Sequence, residues 1–169
     1  WEWDDLQSYY GAEISALPLN DNAVDITVMP GSRGNQCIAR ITQLNQIMRI
    51  ENRCMTVATG TKRKRRIFKQ IDQNVVEISG SMPAGDSKYE GSIAITRPAE
   101  LFIALLKERL LKKGVTVTGR SRTMVADERQ FPTDNGKVAF TEITKLESPP
   151  LALIAAKTMK PSQNMYTET

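Results

Sequence analysis

The segment Pro98-Ala-Glu-Leu-Phe-Ile-Ala-Leu-Leu-Lys-Glu-Arg-Leu-Leu-Lys-Lys-Gly114 carries the clearest structural signal in this sequence. Its apolar residues recur with the period of one face of an α-helix. Pro98 is typical of a first helical position, and Gly114 follows two lysines in the way that ends many helices. The segment therefore predicts a helix over residues 98–113.

Short apolar segments on both sides of this helix predict strands. Residues 92–95 precede it, and residues 115–118 and 123–126 follow it. Further upstream, the alternating residues 23–29 predict a strand that Pro30 and Gly31 end. The resulting β-α-β order favours an α+β fold with a mixed sheet and helices.

Residues 32–85 lack any helical period. They contain five short alternating segments that glycine, asparagine and a basic run separate, which is typical of a small all-β module. We predict an α+β domain formed by residues 1–31 and 86–146, with an all-β domain of residues 32–85 inserted in it. Residues 147–169 start a third unit, where Ser148 and Pro149 predict the start of a second helix.

Composition excludes several kinds of active site. The chain has 169 residues, no histidine and two cysteines. A Ser-His-Asp triad, a Cys-His dyad and a four-ligand Cys/His zinc site are therefore impossible within it. No apolar run is long enough to span a bilayer. We expect no metal, no cofactor and no transmembrane segment.

The positive charge of the chain is local. The net charge is +4, yet residues 62–66 (Lys-Arg-Lys-Arg-Arg) hold five cations, so the rest of the chain is slightly acidic. The commonest structure for such a run is a solvated loop, followed by a site for anionic wall polymers or lipid headgroups. Nucleic-acid binding ranks last, because Phe68 is the only aromatic nearby. We expect no nucleic-acid partner.

The two cysteines, Cys37 and Cys54, lie within the predicted β module. In an oxidising compartment they could form one disulfide between neighbouring strands, and otherwise they would be two small buried thiols. The sequence leaves both alternatives open.

The C-terminal segment resembles a known family. Glu147-Ser-Pro-Pro-Leu151 and Met159-Lys-Pro-Ser-Gln-Asn-Met-Tyr166 resemble the S-x-P-L helix and the following K-x-S-x-N motif of class C penicillin-binding proteins. These are D-alanyl-D-alanine carboxypeptidase/endopeptidases of the penicillin-binding protein 4 type. Trp3-Asp-Asp-Leu6, the strand ending at Gly31 and the helix ending at Gly114 are similar to further segments of that family.

The resemblance implies a serine-type hydrolase that cleaves D-alanyl bonds of peptidoglycan stem peptides, is inhibited by β-lactams and works in the periplasm or cell envelope. Three motifs, S-x-x-K, S-x-N and K-T-G, line the cleft in that family. None of the ten serines here has lysine three residues later, and Lys157-Thr158 is followed by Met159. We therefore expect an inactive fragment that holds the inserted domains and, at residues 147–169, the truncated start of a helical segment of the catalytic domain.

Four residues are candidates for the site. Ser162 and Asn164 match the S-x-N motif, and the resemblance makes Ser162 a proton relay and Asn164 a ligand of the substrate carbonyl and of a lysine. On residue type alone, Ser162 would equally fit a helix N-cap. Asp5 and Tyr10 match the family positions that hold the diaminopimelate side chain, although a surface carboxylate and a core aromatic are also ordinary.

A binding module without catalysis is the alternative function. In that case the β block would recognise an envelope partner or nucleic acid, and the Ser-Gln-Asn triplet would be coincidence. Steep salt dependence that is lost on neutralising residues 62–66 would favour nucleic acid.

Overall fold

The structure is a computed structural model that describes residues 5–42, 47–124, 133–134, 137–138 and 144–160. It contains several small sheets and two α-helices, so the predicted α+β class is confirmed. The strands are β1 Ala23–Met29, β2 Ile38–Ile41, β3 Arg49–Asn52, β4 Met55–Val57, β5 Arg66–Lys69, β6 Val75–Ser79, β7 Ser81–Pro83, β8 Tyr89–Ala94, β9 Thr133–Asp134 and β10 Lys137–Val138. The helices are α1 Pro98–Lys112 and α2 Leu151–Met159, and three short 3-10 turns precede β1.

Strand β1 has the predicted bounds and is the central strand of a sheet with the order β2-β1-β8. Both neighbours run antiparallel to it. Alternation explains its position, because Val24, Ile26 and Val28 are buried on one face while Asp25 on the other face is exposed.

The other strands of the predicted β module form two small sheets, β3-β6-β5 and β4-β7. Two pairs, β3 with β6 and β4 with β7, are parallel, and β5 runs antiparallel to β6. Cys37 and Cys54 are joined by a disulfide, with their Cα atoms 5.3 Å apart. The structure therefore contains the disulfide, not two buried thiols.

One hydrophobic core connects these sheets. It contains side chains from β1, β6 and β8 and the first turn of α1, and Val76, Ile78 and Met82 are fully buried in it. Strand β2 lies within residues 32–85, yet it pairs with β1. The β module and the α+β part are therefore in contact through both a sheet and a core, and the division of the chain into domains stays a prediction.

Helix α1 matches its predicted position, and Gly114 after it has a φ of +81°. Arg97, at the N-cap, adopts a left-handed conformation. The strand predicted at residues 115–118 was wrong, as was that at 123–126 over its described part, because residues 115–124 pair with no strand among the described residues.

Helix α2 begins at Leu151, with Pro150 as its N-cap. The predicted start at Ser148 and Pro149 was wrong. A residue before proline avoids the helical region, and each of these two residues precedes a proline. Neither helix of the described residues combines the length and the apolar character that a membrane span requires.

Candidate functional site

Asp5 and Tyr10, two of the four predicted site residues, lie in contact. Asp5 begins one 3-10 turn, Asp5–Gln7, and Tyr10 is in the next, Tyr9–Gly11. The Tyr10 hydroxyl donates a hydrogen bond of 2.8 Å to Oδ1 of Asp5. The rings of Tyr9 and Tyr10 meet edge to face at a centroid distance of 5.7 Å. The structure thus places a carboxylate and a phenol side by side on a partly exposed turn.

Gly11 permits the close approach of these two turns. A Cβ atom at this position would lie 2.3 Å from the carbonyl oxygen of Asp5, a distance that real Cβ contacts do not show. The second turn can therefore fold back over the first because residue 11 has no side chain.

Hydrogen bonds from distant residues hold this N-terminal segment on the body of the protein. The side-chain oxygen of Gln7 accepts the backbone N–H of Lys69 at 3.2 Å, and Ser8 forms a β-bridge with Ile93. Further along, a carboxylate oxygen of Glu13 accepts the backbone N–H of Arg97 at 2.9 Å. These contacts position Asp5 relative to strands β5 and β8.

A buried polar cluster that the sequence reasoning missed lies behind the same segment. Lys69 is 2% exposed, and its ammonium group donates to the Thr96 hydroxyl at 2.6 Å and to the Gln70 carbonyl at 3.1 Å. Burial lowers the pKa of Lys69 below its usual value, against the opposing attraction of Glu13 and Asp72.

Asn74 completes this cluster through two hydrogen bonds of 2.8 Å to the backbone of Thr96. One sequence signal could have shown the burial of Lys69. Residues 67 and 69 share a side of β5, and Ile67 packs against the core.

Ser162 and Asn164, the other predicted site residues, lie outside the described residues. Helix α2, which leads toward them, ends at Met159 with Lys160 as its C-cap. Among the residues that the structure describes, no group of three histidine, cysteine, aspartate or glutamate side chains could hold a metal ion.

The family is decided by a comparison of the whole sequence with family models. The model of the D-Ala-D-Ala carboxypeptidase 3 (S13) family matches residues 1–169. The chain belongs to this family. The resemblance inferred from the C-terminal and N-terminal motifs is thereby confirmed.

Two further comparisons agree with membership of the S13 family. A D-alanyl-D-alanine carboxypeptidase of Actinomadura sp. (strain R39) is 27% identical over 124 residues, which are 69% of this chain and 23% of that protein. The crystal structure of penicillin binding protein 4 from Haemophilus influenzae superposes with a TM-score of 0.72 at 16% identity, over 98% of this chain and 35% of that one.

A second structure of the Haemophilus influenzae protein, complexed with a β-lactam, superposes with a TM-score of 0.61 over 92% of the chain at 16% identity. At this identity the structural likeness concerns the fold. The chain spans about a quarter to a third of the length of these relatives.

Proposed function

We propose that the protein containing this chain is a serine-type D-Ala-D-Ala carboxypeptidase/endopeptidase that hydrolyses D-alanyl bonds of peptidoglycan stem peptides. The observation that carries the proposal is the match of the S13 family model to all 169 residues. The name of the Actinomadura relative supports the same activity. The proposal places the protein in the periplasm or cell envelope, where this substrate is found.

The reaction would proceed through an acyl-enzyme. A serine hydroxyl attacks the carbonyl carbon of the D-alanyl bond and transfers its proton to a neutral lysine, and the C–N bond then breaks as the leaving amine takes up a proton. Water hydrolyses the resulting ester. The serine and lysine belong to an S-x-x-K motif, which is absent from these 169 residues.

Ser162 and Asn164 would serve this reaction from the S-x-N motif. The Ser162 hydroxyl passes the proton to the leaving amine, because a hydroxyl can accept and donate at once. The Asn164 amide group donates to a backbone carbonyl of the substrate and holds the catalytic lysine in place. Neither role requires a metal or a cofactor.

Asp5 and Tyr10 would bind the diaminopimelate side chain of the stem peptide. That side chain ends in an ammonium and a carboxylate group, so the Asp5 carboxylate supplies an oppositely charged hydrogen-bond acceptor. The hydrogen bond from Tyr10 supports this function, because it fixes the orientation of the carboxylate.

Acylation by a labelled penicillin tests the proposed chemistry. We expect the protein that contains this chain to form a covalent adduct, and the Ser162→Ala variant to form it about 10² to 10⁴ times more slowly, as expected for loss of a proton-transfer group. The Ser121→Ala variant is the matched control, because Ser121 is exposed and lies outside the segments that resemble the family.

The 169-residue chain alone should stay unlabelled. An adduct on these residues would contradict the assignment of the nucleophile to an S-x-x-K motif outside them. Equal acylation rates for the Ser162→Ala variant and the unmodified protein would contradict the role of Ser162.

A further inference from the structure

The basic run at residues 62–66 divides into two sets of side chains. Arg63 is engaged by Asp86, with its Nε 2.6 Å from Oδ2 and one terminal nitrogen 2.5 Å from Oδ1. The guanidinium carbon of Arg65 lies 4.0 Å from the centroid of the Tyr89 ring, a cation–π contact. These two arginines are therefore held by the protein itself.

The remaining cations, Lys62, Lys64 and Arg66, are exposed. Among the residues that the structure describes, none of the three forms an ion pair. The guanidinium carbon of Arg66 lies 5.5 Å from the centroid of the Phe68 ring, and this contact does not neutralise its charge as a carboxylate would. The charge that the run offers to solvent thus comes chiefly from these three side chains, which we call the basic row.

The backbone places two members of the basic row, Lys64 and Arg66, in one line. Arg66 pairs with Ser79 in the antiparallel register of β5 and β6. The backbone N–H of Lys64 donates to the carbonyl of Ser81 at 3.0 Å, which continues that register beyond the strand. Residues two apart in such a segment share a side and lie about 6.6 Å apart. Lys64 and Arg66 therefore lie on one side of this edge, and Lys62 precedes them by two residues in the sequence.

Gly80 fixes this edge against the rest of the protein. A Cβ atom on Gly80 would lie 1.9 Å from the carbonyl oxygen of Lys64, so the two backbones touch at this point. Because the row is held before any ligand arrives, binding would cost little backbone entropy.

Acidic residues limit the width of the positive surface. Glu77 lies opposite Phe68 on the neighbouring strand β6, whereas Glu51 on β3 is already paired with the exposed Arg49 and Arg53. A flat anionic surface such as a lipid bilayer would meet the Glu77 carboxylate as well as the row. A narrow line of cations is more complementary to a linear polyanion than to a flat anionic surface.

We propose that the basic row is a docking site for a linear phosphodiester polymer without bases, of the poly(glycerol phosphate) type. Charge complementarity and the placement of Lys64 and Arg66 on one side of the edge argue for a chain with repeating phosphates. The row carries no free stacking platform for bases, since Phe68 already lies beneath Arg66. This inference is independent of the proposed hydrolase activity.

Binding of purified poly(glycerol phosphate) to the 169-residue chain tests the proposal over a range of salt concentrations. We expect the variant Lys62→Gln/Lys64→Gln/Arg66→Gln to lose at least about tenfold in affinity at low salt. The slope of log K against log salt should fall by about 2, because each phosphate contact contributes about 0.7 for a single-stranded polyanion.

The matched control is Lys107→Gln/Arg109→Gln/Lys113→Gln, which removes two lysines and one arginine from the exposed side of α1 and the residue after it. It should bind as the unmodified chain does. The charge-conserving variant Lys62→Arg/Lys64→Arg should also bind normally. Unchanged thermal unfolding of every variant would show that the fold is intact.

Three outcomes would overturn the proposal. They are an equal loss in the basic-row and control variants, unchanged binding in the basic-row variant, and tighter binding of a thymidine oligonucleotide or of phosphatidylglycerol vesicles than of the glycerol phosphate polymer.

Discussion

The buried side chain of Lys69, at the end of β5, places its ammonium group beside the Thr96 hydroxyl, where an apolar core side chain would normally lie. Its pKa is lowered by burial, so the folded protein binds fewer protons than the unfolded chain at pH values between the lowered pKa and about 10.5. In that window the free energy of unfolding rises with pH, because the unfolded state holds the extra proton. At pH values below this window, Lys69 is charged in both the folded and the unfolded state, so the full free-energy cost of burying the charge remains.

The Lys69→Met variant should lack this alkaline rise, because methionine is close in length and carries no charge. Chemical denaturation at several pH values up to about 10.5 would measure it. The Lys107→Met variant is the control, since Lys107 is exposed on α1. A Lys69→Met variant with the same alkaline slope as the unmodified protein would show that the ammonium titrates normally.

The Asp5 carboxylate should matter for one type of substrate. In the protein that contains this chain, we expect Asp5→Asn to lower kcat/KM by about 10- to 150-fold for a stem peptide with a free diaminopimelate side chain, since a hydrogen bond to a charged group contributes about 1.5–3 kcal/mol. A peptide whose side-chain amine is acetylated should be cleaved as before. Asp72→Asn, at an exposed position, is the matched control.

Equal losses for both peptides in Asp5→Asn would mean that Asp5 supports the fold and does not recognise the side chain.

The sequence motif identified Asp5 and Tyr10 as candidates, and the structure brings their side chains together. The sequence could not identify Gln7 and Thr96 as partners of Lys69, because these contacts join segments that are far apart in the chain.

The elements that depend on local sequence patterns were predicted well. Strand β1 follows from alternation that Pro30 ends, and α1 follows from a helical period between Pro98 and Gly114. The pairing of these elements was not predicted, since the parallel pairs β3-β6 and β4-β7 depend on long-range contacts and leave no local pattern. Val115 and Val117 misled the prediction, because their alternation is not matched by a partner strand among the described residues and both side chains are exposed.

Gly80 and Gly60 offer a matched pair of substitutions, because both have positive φ values, of +89° and +82°. Alanine at Gly60 would meet open space, so only the backbone strain of about 1–2 kcal/mol applies. Alanine at Gly80 would also collide with the carbonyl oxygen of Lys64. We expect Gly80→Ala to lower the free energy of unfolding clearly more than Gly60→Ala, as measured by denaturant titration.

Equal losses in the two glycine variants would contradict the close contact between Gly80 and Lys64. They would also weaken the argument that the basic row is held in place before a ligand binds, since that argument depends on the same contact.

At the scale of the whole molecule, packing is uneven along the chain. The core joins β1, β6, β8 and the start of α1, whereas none of the α2 residues is buried. Leu151 and Met159 are 79% and 80% exposed although α2 is strongly apolar. A helix of nine residues is marginal in water without tertiary contacts. The separate unit of residues 147–169 stays a prediction.

Hydrogen exchange would test that separation directly. In the 169-residue chain, the amides of α2 should exchange with little protection, whereas those of β1 and of the central turns of α1 should be protected, because protection follows burial and cooperative packing. In the protein that contains this chain, we expect α2 to become protected, because the proposed catalytic domain would cover its apolar side chains. Protection of α2 equal to that of α1 in the 169-residue chain would assign it instead to the same unit as β1, and the predicted boundary near residue 147 would be wrong.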